Sequence, residues 1–442
     1  MKTYIEVENF GKINSAKIEC SGYTVFVGDN NSGKSYLMQL IYAIHKNLKF
    51  DSSDSPFVQM IDMKLKDGSS FTLGREDIRQ WTQSINAQLE RSKDTFVSKI
   101  FRKKVNIDRL KIDLEIQEDE EIKIQIFYHS GSIRNGKLVV GDDNSKLVSI
   151  IMPDKEEYEF EYSQDLTALL ISNLITRSIF GLSGTMYLPA ARAGIQLLYK
   201  DFFASKADKL YYPSDESSSS NDIGLTEPIY DYLKFLQTMT KNIDALPVTN
   251  DLIAFVDDKL IEGHINISDN NEVTYSQNNG AKNIPLYLSS SMISEMAPII
   301  ECIMDNTPHQ NLVIDEVESS LHPKKQRELA RLFNRMRNAG YNLIISTHSD
   351  TMAAYINNLL IASKKKLSTK KLNELNLTKM DMLKDAYITF YEFVNNNDGS
   401  SNVNELPVHE YPQEGVEFSL FNTNLNMLYE ETTNILGAKN GD

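Results

Sequence analysis

The chain has 442 residues, room for two or three domains or for one large domain carrying insertions, and its 41% hydrophobic and 24% charged content is an ordinary globular balance. With 61 acidic against 46 basic residues the net charge is −15, which speaks against a broad surface that grips nucleic acid by itself. Two distant cysteines, Cys20 and Cys302, exclude a disulfide framework, and apolar runs such as Leu312–Ile314 fall far short of a bilayer span, so a cytoplasmic protein without a membrane partner is expected.

In chain order, Tyr4–Glu6, Ser15–Glu19 and Tyr23–Val27 read as short strands separated by Asn9–Gly11 and Ser21–Gly22. The helical spacing of Tyr36, Leu37, Leu40, Ile41 and Ile44 predicts a helix directly behind the next glycine-rich loop. Ile78–Ile100 reads as a helix, and a strand meander follows at Ile122–Tyr128, Lys137–Val140, Leu147–Ile151 and Tyr158–Tyr162. Tyr187–Pro189 reads as a returning strand, Ile195–Leu210 and Pro228–Thr240 as helices, and the serine run Ser217–Asn221 as a loop. A hairpin at Ile265–Ile267 and Glu272–Tyr275 leads into the apolar stretch Leu286–Met304. Then strand and helix alternate: Asn311–Ile314, Lys324–Asn338, Asn342–Ser346 and Asp350–Ile361, the pattern of a parallel sheet with crossover helices. The stretch from Ile388 onward reads as strands closing with a helix at Asn422–Leu436.

Gly28-Asp29-Asn30-Asn31-Ser32-Gly33-Lys34-Ser35 fits the phosphate-loop pattern G-x-x-x-x-G-K-[ST], between a strand and a helix as that loop requires. Its glycines let successive backbone N–H groups turn toward phosphate oxygens, and the helix start adds its positive end. Lys34 can reach the β- and γ-phosphates, and the Ser35 hydroxyl can ligate Mg²⁺. The strand Asn311–Ile314 ends in Asp315 and Glu316, placing one carboxylate where Mg²⁺ would sit and a second where it can deprotonate water. Glu318-Ser-Ser-Leu-His-Pro323 and the strand-end Thr347-His348-Ser349-Asp350 follow, with His348 placed to sense a γ-phosphate. ATP and Mg²⁺ are the cofactors this pattern calls for.

The segments "VENFGKINSAKI…VFVGDNNSGKSYL", "LVIDEVESSLHP" and "IISTHSD" resemble the ABC-type ATPase heads of the RecF/SMC/OLD-nuclease group over about residues 1–45 and 285–360. The resemblance implies an α/β fold, a P-loop ATPase head with a mixed sheet and crossover helices. Residues 1–50 and 285–442 would form a discontinuous core, and 51–284 an inserted helical and β-meander region that also holds core strands near 185–194. It further implies that Lys34 and Ser35 bind phosphate and Mg²⁺, Asp315 holds the metal, Glu316 is the catalytic base, His348 the switch histidine and Ser319–His322 the D-loop. Such heads sandwich ATP between two subunits. The segment matching their signature is Leu288–Glu295, with Ser290 and Ser291 facing the nucleotide and Met292 where a glycine is common; a plain serine N-cap is the alternative. Tyr187-Leu-Pro-Ala-Ala-Arg192-Ala-Gly194 resembles a YxPxxR element of defence-type ATPases, in which Arg192 meets phosphate or the partner subunit, or else serves the structure.

OLD-type nucleases carry a Toprim domain after the head, and the chain beyond His348 shows no strand-end Asp-x-Asp to hold its metals. What remains resembles stand-alone ATPase subunits of bacterial anti-phage systems such as PARIS and Septu. That likeness implies a homo-oligomer, at least a head-to-head dimer, that controls a separate Toprim or HNH nuclease. A RecF-like DNA-repair ATPase and a scaffold with little hydrolysis are the alternatives. Two basic clusters, one at Arg102–Lys104 with Lys99, Arg109 and Lys111, the other at Lys364–Lys366 with Lys370 and Lys371, are candidate contacts for a phage trigger protein or nucleic acid, or solvated faces.

Overall fold

The structure, a computed structural model, describes residues 2–67, 70–116, 121–129, 139–141, 145–153, 164–180, 184–211, 224–240, 247–268, 271–278, 283–306, 309–410 and 414–437. A nine-stranded mixed sheet organises them, in the order Arg109–Glu115, Lys2–Phe10, Ile13–Glu19, Ser401–Leu406, Thr389–Asn395, Tyr23–Gly28, Asn342–Thr347, Asn311–Ile314, Thr185–Leu188. The last five are mutually parallel, and the pairs at the other end are antiparallel apart from a single parallel bridge at Ser401 and Ile13. This is the expected α/β head with a mixed sheet and crossover helices.

Burial explains the difference between the two ends. Tyr23–Gly28 and Asn311–Ile314 are buried at every residue, as strands covered on both faces must be. Val25, Val27, Leu312, Ile314, Leu343 and Ile345 face one core, under the helices Ser291–Met304, Pro323–Asn338 and Asp350–Lys364. The alternate residues Phe26, Val313 and Ile344 face the other, under Lys34–Asn47, Arg75–Phe101 and Gln164–Phe180. Lys2–Phe10 instead alternates buried with half-exposed residues, the pattern of a strand wet on one side.

Several elements depart from expectation. Arg109–Glu115 is a strand, and it closes the antiparallel end of the main sheet against Lys2–Phe10. The helices Pro56–Asp67 and Gln164–Phe180 were not anticipated. The expected meander is a four-stranded sheet in which Glu121–His129 runs parallel to Ser145–Pro153. Ser70–Leu73 pairs antiparallel with the first of these, and Val139–Gly141 antiparallel with the second, so consecutive strands do not simply fold back on each other. The expected strand Tyr158–Tyr162 and the serine loop Ser217–Asn221 lie outside the described residues.

Candidate functional site

The loop between Tyr23–Gly28 and Lys34–Asn47 takes a shape only its own residues permit. Gly28 has φ 132°, and a Cβ there would lie 2.2 Å from the Phe393 carbonyl oxygen. Gly33, at φ 95°, would press a Cβ against Ile13 at 3.0 Å. The loop is braced from both sides: Lys12 Nζ donates to the Asn31 carbonyl at 2.9 Å, Asn395 Nδ2 to the Asn30 carbonyl at 3.1 Å, and Ser32 Oγ to the Asp29 carbonyl at 2.7 Å. The helix behind it has no acidic residue in its first turn and no side-chain cap, so its leading N–H groups and positive end are left for an anion.

Lys34 is buried, and its ammonium donates to the carbonyls of Gly28 at 3.1 Å and Asp29 at 2.6 Å and to Ser32 Oγ at 3.3 Å. Burial pulls its pKa down to about 8, against the opposing fields of Asp315, Asp29, Glu316 and Glu318. The early loop and the late acids, separated by most of the chain, act on one ammonium.

The parallel sheet produces this meeting. Tyr23–Gly28, Asn342–Thr347 and Asn311–Ile314 are neighbours and end at the same edge, where Ser346 sits between the two halves. Its hydroxyl donates to Asp315 Oδ1 at 2.5 Å and accepts the Glu316 N–H at 2.8 Å. Tyr187 donates to Asp315 Oδ2 at 3.3 Å, and burial beside that carboxylate holds the phenol far above its ordinary range. Asp315 is thus a buried carboxylate aimed by two hydroxyls. Glu316 is more open and has φ 45°, so the backbone turns sharply between the acids and sends their side chains apart. His348 Nε2 lies 3.8 Å from Glu316 Oε1, and the His348 N–H donates to Glu318 Oε1 at 2.6 Å. Glu318 therefore ties the turn after Glu316 to the turn carrying His348. The sequence alone assigns no role to Ser346 or to Glu318, which opens the segment Glu318–Pro323; each stands two residues from a motif position, His348 or Glu316, and that spacing is the available signal.

Arg192 resolves an open alternative. It is fully buried, its Nε 3.0 Å from Glu295 Oε2 and 3.2 Å from the Glu295 carbonyl, and its Nη1 2.8 Å from the Asp315 carbonyl. Further contacts reach the Glu316 carbonyl at 3.4 Å. The guanidinium thus clamps the acidic turn to the helix Ser291–Met304 and offers nothing to a phosphate or to a partner's surface. Of the two alternatives for Arg192, phosphate or partner contact and a structural role, these contacts favour the structural one. Its donors face the Glu295 carboxylate and the backbone carbonyls of Glu295, Asp315 and Glu316.

Ser290 is the N-cap of that helix, accepting from the Ile293 N–H, and both Ser290 and Ser291 are exposed. Tyr287 and Leu288 beside them are 68% and 66% exposed, large apolar side chains left in solvent at the mouth of a helix. His322 caps Pro323–Asn338 through Lys324 N–H, and Ser320 takes φ 58°. In the basic clusters Arg109 pairs with Glu8 at 3.0 Å, Lys365 with Glu414 at 2.8 Å and Lys371 with Glu374 at 3.1 Å. Among the described residues no group of three or more His, Cys, Asp or Glu could hold a metal unaided, and no helix is long and apolar enough to cross a membrane. A metal bound through Ser35 and Asp315 would have to share phosphate oxygens, and the carboxylate fixed by Ser346 and Tyr187 suits that donor set.

Comparison with known proteins gives a consistent picture. Residues 1–180 match the family described as "AAA ATPase domain", and residues 192–353 match the one described as "AAA domain, putative AbiEii toxin, Type IV TA system". No curated protein matches the sequence. Among solved structures, an SMC head bound to the C-winged helix domain of ScpA is 12% identical, with 92% of this chain and 98% of that one covered and a TM-score of 0.39. An SMC head with an extended coiled coil, bound to the C-terminal domain of ScpA from Pyrococcus furiosus, is 12% identical over 98% and 99% of the two chains, at 0.40. The SMC head domain from Thermotoga maritima is 13% identical over 92% and 98%, at 0.35. Superpositions that loose carry no argument about this chain. The two consecutive family matches, together with the sheet order and the glycine-rich loop, support a nucleotide-binding ATPase fold.

Proposed function

We propose that this chain binds Mg²⁺–ATP at Gly28, Asn30, Asn31, Ser32, Gly33, Lys34 and Ser35 and hydrolyses it with Glu316 as the base. The observation that carries the reading is the shared sheet edge, where the strand feeding the phosphate loop lies beside the strand whose Ser346 hydroxyl binds Asp315, so that Asp315 and Glu316 act on the Lys34 ammonium. Backbone N–H groups of the loop and the Lys34 ammonium would hold the triphosphate. Mg²⁺ at Ser35 and Asp315 would neutralise charge on the transferred phosphoryl group. Glu316 would orient a water and take its proton, and His348, 3.8 Å from it, would report the state of that carboxylate.

The site is completed by a second copy. Ser290 and Ser291, exposed at a helix N-terminus and flanked by Tyr287 and Leu288, would meet the γ-phosphate on the partner head. ATP then controls pairing of the heads, and the paired chain serves as sensor and scaffold for a separate nuclease of the Toprim or HNH kind in anti-phage defence. The toxin–antitoxin wording of the family matched over 192–353 supports a role in such a two-component system. Met292, standing in the signature, favours a second reading in which nucleotide holds the assembly together with little turnover.

Phosphate release by the wild type, Glu316→Gln and Lys34→Ala separates the two. Hydrolysis predicts a drop of at least about a hundredfold in both variants, the scale for removing a catalytic base. Equal rates in all three proteins would leave the scaffold reading standing.

A further inference from the structure

The helix Ser419–Gly437 begins on the body of the protein and then leaves it. Its first turn is anchored: Ser419 Oγ donates to Glu392 Oε2 at 2.7 Å, the Leu420 N–H donates to Glu392 Oε1 at 3.2 Å, and Phe418 packs against Phe390 and Phe421. From Asn422 to Leu436 every residue is exposed, among them Leu425 at 52%, Leu428 at 59%, Tyr429 at 74%, Ile435 at 67% and Leu436 at 81%. An isolated helix of this length is marginal in water and gains most of its stability from packing an apolar face.

Its sequence specifies the missing contact. Phe421, Leu425, Leu428, Thr432 and Ile435 recur at intervals of four, three, four and three, the a/d spacing of a coiled-coil seam, with Tyr429 and Leu436 widening it on one side. Glu430 and Glu431 are the only charged residues of Ser419–Gly437, and neither lies on the seam. No charge pattern demands a partner of opposite sign, so an identical helix fits without repulsion along the seam. The five exposed side chains offer on the order of 600 Å² per copy, so two copies bury roughly 1,200–1,300 Å², the lower end of specific interfaces.

We infer that this helix is a dimerisation element that pairs with the same helix of a second copy of the chain, independently of nucleotide. It holds two heads at high effective concentration before ATP arrives, so that closing the composite site becomes an intramolecular step. The pairing does not require the proposed ATP chemistry and stands or falls separately from it.

The test is the mass of the full chain by light scattering without nucleotide at about 50 µM, a concentration at which a micromolar dimer is well populated. Three proteins are compared with the wild type. Leu425→Asp/Leu428→Asp places two charges on the seam, Asn426→Asp/Asn434→Asp places two off it, and Lys34→Ala disables the phosphate loop. The expected result is a dimer in the wild type, the off-seam variant and Lys34→Ala, and a single chain in the seam variant, with unchanged far-ultraviolet circular dichroism of the head. A wild type that runs as one chain would overturn the inference and assign the face to another protein. A seam variant that remains dimeric would overturn it equally. Loss of the dimer in Lys34→Ala alone would place the pairing at the heads instead.

Discussion

Lys34 makes the site's dependence on pH a question about a single ammonium. Its pKa is about 8 in the folded protein and 10.5 ordinarily, so the folded state holds this proton less tightly than the unfolded one. The group's contribution to stability therefore improves as pH rises from about 8 to 10.5, because the buried charge is shed. Triphosphate binding has the opposite demand, since the phosphates need the ammonium charged. Affinity for Mg²⁺–ATP is expected to fall about fivefold between pH 8 and pH 9, as the charged fraction drops from a half to about a tenth. Fluorescent-nucleotide titrations across that range check it, and Lys34→Arg, charged throughout, should give a flat profile. Arg192 is a structural counterpart. Arg192→Ala leaves Glu295 unpaired beside the Asp315 carbonyl and is expected to cost about 3–5 kcal/mol, read from urea midpoints. The motif lysine could be picked out from eight residues of sequence. The burial of Arg192 could not, because it depends on Glu295, more than a hundred positions away, arriving on the same side of Asp315.

At the scale of elements, the strand Thr389–Asn395 decides the shape of the phosphate loop. It pairs with Tyr23–Gly28 in register, Phe393 opposite Gly28, so the Phe393 carbonyl occupies the space a side chain would need. Gly28→Ala should therefore push two parallel strands apart and cost at least about 3 kcal/mol, with nucleotide binding lost alongside. The helix Ser291–Met304 carries a different burden. Glu301 is fully buried on it, accepts a hydrogen bond from Gln196, and has its pKa pushed up to about 8 by burial. A carboxyl whose folded pKa lies above its ordinary 4.5 loses relative stability as pH climbs from that value toward 8. Glu301→Gln, neutral at every pH, is expected to raise stability by roughly 3 kcal/mol at pH 7 and by little at pH 4.5, measured as melting temperature against pH. Elements with strong local periodicity were legible in the sequence: the helix behind the loop, Arg75–Phe101, and the alternating strands and helices after residue 311. Ala168, Ile171, Ile175 and Ile179 follow helical spacing just as clearly but were overlooked beside the supposed meander. Arg109–Glu115 alternates as a strand should, yet its partner, Lys2–Phe10, is set by the path of the chain and not by either segment.

At the scale of the molecule, one parallel sheet edge gathers the phosphate loop, the acid pair and His348, while the helix Ser291–Met304 starts toward solvent with Tyr287 and Leu288 uncovered. That sheet order, with strands from the start and the end of the chain interleaved, is the part of the fold that spacing cannot reveal, since strand neighbours are chosen by long-range packing. On the composite-site proposal, one copy would present two incomplete halves of a site on separate surfaces. If nucleotide joins them, the apolar pair should matter for assembly and leave capture of ATP by a single chain intact. Tyr287→Asp/Leu288→Asp, carried in a background of Glu316→Gln to block turnover and Leu425→Asp/Leu428→Asp to remove the nucleotide-independent dimer, is expected to retain binding within about twofold while ATP no longer raises the order of assembly, because charges at the centre of an apolar contact are costly to desolvate. Equilibrium titration and sedimentation velocity with and without ATP give the two quantities independently. An assembly that still grows with ATP in this variant would mean that the heads meet through another surface, and one that ignores ATP even before the surface is altered would mean that the site is complete within a single chain.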